Sequence, residues 1–515
     1  MGTWCIIFVS LCLCMLIIII RALRSHHLPP GPLHLPIISN ILFLLKPFSQ
    51  LEPILRNLHA KHGPIITLYL WSGLNIFIAD RSLAYQALIQ NGSVFANRPN
   101  FLSNKNITND QLNISSSAYG TTWRVLRRNL ASVMLHPARF RSFSGIRKRV
   151  LDDLLNLFKS EAESNHSVIK VRDHIQHAIF CLLVFMCFGE SVDEERIKNI
   201  KHLQRLLILG FRRFSVLNFL PKVISRLLFR KRWQELVHLR KAQRDALVQL
   251  IEARKKGIEN RLRSRNTENS DLNERVICYV DTLLNLQLPE ENRQLDESEV
   301  VTLCSEFLTA GTDTTSTALE WVMANVVKYR DVKRRLMEEI GRVMGDREGK
   351  EVKEEDLKKL PYLKATILEG LRRHPPTHFV VPHAVTKDVV LDGYLIPKKG
   401  AVNFMVAEMG WDPRVWEDPM AFKPERFLGI ESEGFDIRGN KEIKMMPFGA
   451  GKRMCPAYNL AMLHLEYFVA NLVWKFEWKA PNGGDIDLSG KQEFTMVMKH
   501  PLQAQIHDRI CDHLS

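Results

Sequence analysis

No Cys-x-x-Cys pair occurs among the nine cysteines, which stand at Cys5, Cys12, Cys14, Cys181, Cys187, Cys278, Cys304, Cys455 and Cys511. That absence excludes a zinc ribbon and a thioredoxin-like redox site. An odd count scattered over 515 residues also argues against a disulfide framework and for a reducing compartment. No internal repeat is visible, which sets aside solenoids and propellers. With 46% hydrophobic and 25% charged residues, the chain is neither collagen-like nor disordered; it has the balance of an ordinary globular protein able to bury a large core.

Charge is missing altogether from Met1 to Ile20, and Trp4 to Ile20 is an almost unbroken hydrophobic run. Its length is close to the ~17-residue lower limit of a membrane-spanning helix. The rival, a cleaved signal peptide, lacks its positive n-region and its small-residue cleavage pattern. Arg21 and Arg24 flank the run on its C-terminal side, and positive flanks stay cytosolic. The expectation is a transmembrane anchor over residues 1–24 and one catalytic unit over 25–515 facing the cytosol. Pro29-Pro30-Gly31-Pro32 would form a stiff hinge between them.

The net charge is +15, and much of the excess lies between Arg226 and Arg265. No recognition motif accompanies it, so nucleic acid is not an expected partner. A solvated helix face, or a docking face for an acidic protein or an anionic lipid surface, remains open.

Helical periodicity runs through Arg147–Lys159, Trp233–Arg261 and Glu297–Val327, and Arg263–Arg275 reads as a surface loop. Ile65–Ile78 about Gly73, and Val389–Ile396 about Asp392-Gly393, read as hairpins. Leu206–Phe229 is rich in Leu, Ile and Phe, is interrupted by Gly210 and Pro221, and suits either core helices or a bilayer surface. The class is mostly α with a smaller β portion.

The sharpest chemical signal is Phe448-Gly449-Ala450-Gly451-Lys452-Arg453-Met454-Cys455-Pro456-Ala457. Its glycines let a backbone approach something flat or bulky, and Pro456 suits the first position of a helix continuing through Leu460, Leu463, Tyr467, Ala470 and Trp474. Cys455 is thereby expected at the N-cap, where free amides and the helix dipole favour the metal-binding thiolate. Without its flanking pattern a lone Cys is simply a small buried residue.

A second signal is Ala310-Gly311-Thr312-Asp313-Thr314-Thr315 within the Glu297 helix. The small residues permit close approach of a large flat partner, Thr314 can bond a carbonyl four residues back, and Asp313 adds a carboxylate. Glu369 and Arg372 share one helix face and can pair. Trp123 and Arg127 share another, and together offer good donors to a carboxylate. His383 follows Pro382 and is either a further contact or an ordinary surface histidine.

These motifs resemble those of the cytochrome P450 haem-thiolate monooxygenases, in the plant microsomal branch, through nearly the whole body. The resemblance implies the cytochrome P450 fold and a haem b (heme) whose iron takes Cys455 as its axial ligand. Phe448 would pack beside it, and Arg453, Trp123, Arg127 and, more weakly, His383 would hold the propionates. Asp313 and Thr314 would relay protons to dioxygen, while Glu369, Arg372 and Arg426 of the Phe422–Phe427 stretch would lock the core. Ala457 replaces the family's final Gly, for which slightly tighter packing is expected because Ala suits a helix interior.

The implied activity inserts one atom of dioxygen into a small hydrophobic substrate, within plant secondary metabolism. Electrons would come from NADPH through a partner NADPH-cytochrome P450 reductase, at the endoplasmic reticulum membrane. The sequence shows no trace of a redox partner domain, so the basic surface is expected to serve as a reductase-docking face. A peroxide-rearranging haem-thiolate enzyme would not need Asp313 and Thr314, and a ligand-carrying haem protein would not turn over. Pocket residues are expected around Ser115–Ala118, Leu206–Phe214, Cys304–Leu308 and Thr377–Val381.

Overall fold

The computed structural model describes residues 27–32, 51–70, 73–99, 112–164, 167–190, 192–215, 217, 222–265, 276–347, 350–398, 400–429 and 435–509. The expected anchor over 1–24 and Cys5, Cys12, Cys14 and Cys511 lie outside them, as does most of the expected loop after Arg263.

The principal helices are α1 (Thr121–Arg128), α2 (Ser144–Ser164), α3 (Val171–Phe188), α4 (Glu194–Ser215), α5 (Arg230–Arg265), α6 (Glu297–Lys328), α7 (Arg330–Met344), α8 (Pro361–Arg373) and α9 (Tyr458–Lys475). Helix α6 starts sharply because Asp296 and Glu299 form a capping box, each carboxylate accepting the other's backbone N–H at 2.8 Å. From Thr315 to Val327 every residue of it is buried, so α6 runs through the centre of the core. Helix α3 packs against it and is apolar throughout from Ala178 to Phe188 for the same reason. By length and composition alone α3 would also suit a membrane, but it is two-thirds buried inside the protein.

The strands are β1 (Ile65–Leu70), β2 (Gly73–Ile78), β3 (Val168–Lys170), β4 (His383–Ala384), β5 (Val389–Leu391), β6 (Tyr394–Ile396), β7 (Ala401–Phe404), β8 (Phe476–Lys479) and β9 (Gln503–Asp508). One sheet has the order β1-β2-β7-β4, with β1 and β2 antiparallel from Ile65↔Ile78 to Leu70↔Gly73. A second has the order β8-β9-β3. Both expected hairpins form, and β5 joins β6 through Asp392 (φ 53°) and Gly393 (φ 78°), the two positive φ values of a type I′ turn.

One expectation gains a partner and another changes. The expected stiff Pro29–Pro32 segment packs on β1: Pro30 accepts the Thr67 N–H at 2.8 Å, and a Cβ on Gly31 would lie 2.1 Å from the Thr67 carbonyl oxygen. The segment is docked on the sheet edge. Gly210 does not break the chain, since α4 continues through it with its open side filled by Phe214. Phe214 and Leu217 are buried against Leu236 and Leu239 of α5, whereas Val223, Leu227 and Leu228 are well exposed. The Leu206–Phe229 stretch is therefore core at one point and bare apolar surface at another.

Candidate functional site

The Cys455 loop is shaped by its glycines. Gly449 and Gly451 take φ of +68° and +69°, and a Cβ on Gly451 would sit 2.0 Å from the Leu88 carbonyl oxygen. Only glycine meets both conditions, so the close approach predicted for this loop is made to the Leu88 backbone. The Cys455 N–H then donates to Phe448 at 2.8 Å and closes the loop.

Helix α9 begins later than expected. Ala457 (φ −98°, ψ 16°) is its cap and Tyr458 its first residue, so Cys455 precedes the helix instead of capping it, and Ala457 is not in a helix interior. Burial pushes the Cys455 thiol up, against the opposing pull of the Ala457 N–H and the Arg127 guanidinium. The expected lowering is outweighed, because a charged sulfur at this buried position loses more solvation than the Ala457 N–H and the Arg127 charge together restore.

Cys455 opens onto a cavity of about 330 Å³. Phe448 and Pro456 flank it there, and Ala310, Gly311 and Thr314 of α6 form the facing wall. Ala310 is open to the cavity, but a Cβ on Gly311 would meet Leu183 of α3 at 2.7 Å. The smallness of Gly311 thus serves helix–helix packing as well as the cavity.

Three guanidinium groups meet at one end: Arg98, Arg127 and Arg453. Their N–H groups donate to backbone carbonyls: Arg98 to Ser115, Val381 and Pro382, Arg127 to Met454, and Arg453 to Ala96, Ile114 and Ser117. Carbonyls orient a cation without neutralising it. Among the described residues none of the three is ion-paired, and burial pulls Arg98 down to about 9 and Arg453 to about 10. Among the described residues the sole carboxylate on the cavity wall is Glu306, which leaves two positive charges uncompensated. Such an end calls for a dianion.

Trp123 is buried with the Arg453 guanidinium 4.2 Å over its ring, but its indole N–H is already donated to Ile114 at 3.0 Å. His383 is not a surface residue: it is buried, held down to about 3, and bonded through Nδ1 to the Phe95 carbonyl at 2.7 Å. Nδ1 must carry the proton in that bond, which leaves Nε2 of the neutral ring as an acceptor.

Asp313 and Thr314, expected together, face different ways. Thr314 lines the cavity and donates its hydroxyl to Ala310 at 2.6 Å. Asp313 points instead into the cleft between α3 and α4, accepting from Gln176 at 2.7 Å and Arg205 at 2.8 Å. Burial raises its pKa against the Arg205 charge. Adjacent helical residues diverge by about 100°, so the two cannot share a surface.

Of the expected pocket stretches, Ser115, Glu306, Phe307, Thr377 and Phe379–Val381 line the cavity, while Leu206–Phe214 does not. Cys304 does not line it either; it is fully buried beside Cys187. Behind the cavity Glu369 and Arg372 form a fully buried bidentate pair at 2.7 and 2.8 Å, with Arg426 at 3.3 Å from the same carboxylate.

Sequence reasoning missed Arg98, and reached Glu306 only as one residue of the Cys304–Leu308 stretch. The only local sign of Arg98 was an Arg between Asn97 and Pro99, and two of its three carbonyl partners lie more than 280 residues away. Glu306 had a legible sign, since it stands two helical turns before Thr314 on the same face.

Three comparisons bear on this site. The family model described as Cytochrome P450 matches residues 29–507. The chain is 50% identical over 497 residues to "Cytochrome P450 89A9" of Arabidopsis thaliana, covering 94% of each. It is 30% identical to an isoflavone 2'-hydroxylase of Glycyrrhiza echinata, covering 96% of this chain and 94% of that one. To a geraniol 8-hydroxylase of Catharanthus roseus it is also 30% identical, over 93% and 94%. Among solved structures, a zebra fish cytochrome P450 with abiraterone superposes with a TM-score of 0.70 at 23% identity, over 89% of this chain and 99% of that one. That likeness speaks for the fold.

Proposed function

This chain belongs to the cytochrome P450 family and is a monooxygenase; from that premise we propose that Cys455 ligates a haem b iron whose propionates lie among Arg98, Arg127 and Arg453. The observation that carries this is the pair of uncompensated positive charges at the end of the cavity onto which Cys455 opens. Two propionates match that charge, and the donor set suits a planar anion better than any metal alone.

When bound, a thiolate-ligated haem supplies the activation of dioxygen and the electron push that favours O–O cleavage. The chain does the rest. Phe448 packs beside the Cys455 sulfur, Trp123 braces Arg453, and Arg127 lowers the cost of negative charge on Cys455. His383, with Nε2 as its free ring nitrogen, contacts a propionate only by taking up a proton. The Thr314 hydroxyl, fixed by Ala310, accepts and passes on a proton at the cavity wall. Asp313 is a reserve one residue back, and reaches Thr314 only when its carboxylate leaves Arg205.

The substrate is small and largely hydrophobic, in keeping with the apolar lining and with the hydroxylases among the relatives. Electrons come from NADPH through a separate NADPH-cytochrome P450 reductase. Residues 1–24 hold the protein in the endoplasmic reticulum membrane with the catalytic body, 25–515, in the cytosol.

The test separates thiolate ligation from haem binding as such. Reduced wild-type protein exposed to carbon monoxide should give the strongly red-shifted band of a thiolate-ligated haem. Cys455→Ser should give the ordinary band and no monooxygenation. Persistence of the red-shifted band in that variant would place the ligand elsewhere.

A further inference from the structure

Among the described residues, one group of side chains away from the cavity has the composition of a metal site: His177 and Cys181 of α3 with Glu194 at the start of α4. His177 and Cys181 stand four apart, so their side chains leave the same face of α3 one turn from each other. Their ligand atoms converge on a single ring nitrogen. His177 Nε2 lies 3.4 Å from Cys181 Sγ and 3.1 Å from Glu194 Oε1, and the ligand atoms of all three residues lie within 4.8 Å of one another.

A tetrahedral zinc ion holds sulfur at about 2.3 Å and nitrogen or oxygen at about 2.0–2.2 Å, which sets neighbouring ligand atoms about 3.3–3.6 Å apart. Two edges of the cluster are already close to that length, and the third needs only a rotation of Glu194, whose side chain is 55% exposed. Hydrogen bonding accounts for the arrangement less well. A ring nitrogen carries one N–H or one lone pair, so Nε2 can serve the carboxylate or the thiol but not both. A metal ion in place of that proton serves all three groups.

The protonation states suit this exchange. Burial holds the His177 ring down, toward the neutral form that binds metal, and pushes the Cys181 thiol up to about 12, so its proton leaves to solvent only as the ion enters. Lys198 and Lys201 oppose a cation here, while Asp153 acts on Cys181 and Asp173 on Lys201 with the opposite sign. A dication therefore meets the charges of one thiolate and one carboxylate. The sulfur favours a borderline-soft ion over Mg2+ or Ca2+, which take oxygen ligands.

We propose that His177, Cys181 and Glu194 form a zinc site, with a water in the fourth position, that ties the first turn of α4 to α3. The site lies outside the haem reading and does not depend on it, although Leu183, two residues beyond Cys181, lines the cavity. The competing outcome is a purely structural cluster: a carboxylate is stabilised at a helix N-terminus without any metal, and a buried Cys packs as a small apolar residue.

The full-length haem protein, stripped of metal with EDTA, is titrated with Zn2+ against a fluorescent zinc indicator, and X-ray absorption is read at the zinc edge of the loaded protein. Wild type should bind one Zn2+ that excess Mg2+ does not displace, with one sulfur at about 2.3 Å and the remaining ligands at about 2.0–2.2 Å. Thermal unfolding should move upward with Zn2+, since the ion binds only the folded arrangement. Cys181→Ser, His177→Ala and Glu194→Gln should each weaken binding at least tenfold, because a direct ligand matters no less than its outer hydrogen-bond partners, and each should keep the carbon monoxide band of wild type.

No stoichiometric binding in wild type, zinc held by nitrogen and oxygen alone, or binding that any one of the three substitutions weakens less than tenfold overturns the site and leaves a His–Glu pair over a buried thiol. If Cys181→Ser fails to retain haem, the wild-type sulfur distance together with Glu194→Gln decides.

Discussion

Gly451 combines φ of +69° with a Leu88 carbonyl that a Cβ would approach to 2.0 Å. Gly451→Ala must therefore adopt a left-handed conformation, at about 1–3 kcal/mol, and also push backbone away from backbone. The expected outcome is a misplaced Cys455, seen as loss of the red-shifted carbon monoxide band before any loss of helical circular dichroism. Thr314 predicts a different signature, because its hydroxyl touches only Ala310 and the cavity. Thr314→Ala should keep the haem, raise peroxide and lower product per NADPH oxidised; unchanged coupling would remove Thr314 from the proton path. The motif residues Cys455 and Thr314 were legible because short sequence spacings set their local geometry. Arg98 was not, because two of its three partners come from the distant 381–382 backbone.

At the scale of elements, α8 is joined to the 418–426 loop by Arg372, whose guanidinium is 0% exposed and bonded to Glu369, Gly410, Pro419 and Ala421. Sequence spacing put Glu369 and Arg372 on one helix face, where the default is a surface pair of little worth. Burial changes the magnitude: Arg372→Met leaves the buried Glu369 carboxylate with only Arg426 at 3.3 Å and the Lys423 N–H at 2.9 Å, and should cost about 3–5 kcal/mol. Thermal unfolding read by haem release tests this, and a loss below about 1 kcal/mol would mean the pair is solvated. Helix α6 was legible to within a residue because Asp296 caps it locally. Helix α9 was not, because Pro456 looked like a first-turn residue while the packing of Gly451 on Leu88 delays the helix to Tyr458.

Across the whole molecule, acid should act through buried histidine. His464 faces the cavity region, is 2% exposed, has no partner at Nε2 among the described residues and is held down to about 3 by burial and the Arg147 charge. An unfolded His takes its proton near pH 6.5, the folded one only near 3. Between those values the unfolded chain binds more protons, so stability falls as pH falls, by about 1 kcal/mol per pH unit. Urea unfolding from pH 7 to 5 should show at least this slope, and His464→Leu should remove its share while that of His383, likewise held to about 3, remains. Membrane attachment belongs to the same scale. Removing residues 1–24 should leave the carbon monoxide band intact and weaken vesicle binding, with residual binding through exposed Val223, Leu227 and Leu228. Glycan on Asn113 of the full-length protein would place the body in the lumen and sink the proposed topology.

The sequence by itself determined what depends on neighbours along the chain: the helix and hairpin periodicities, the capped start of α6, the mostly helical class, and the loop bearing Cys455. Tertiary structure decided whatever depends on burial and on distant partners. It docked Pro29–Pro32 on Thr67, turned Asp313 away from Thr314 toward Arg205, and buried His383 against Phe95. It also gathered Arg98, Arg127 and Arg453 about one cavity with Glu306 alone among them in charge. The physical reason is that local geometry follows backbone torsions and side-chain spacing, whereas the cost of a charge and the direction it faces are set by what the rest of the chain removes from water around it.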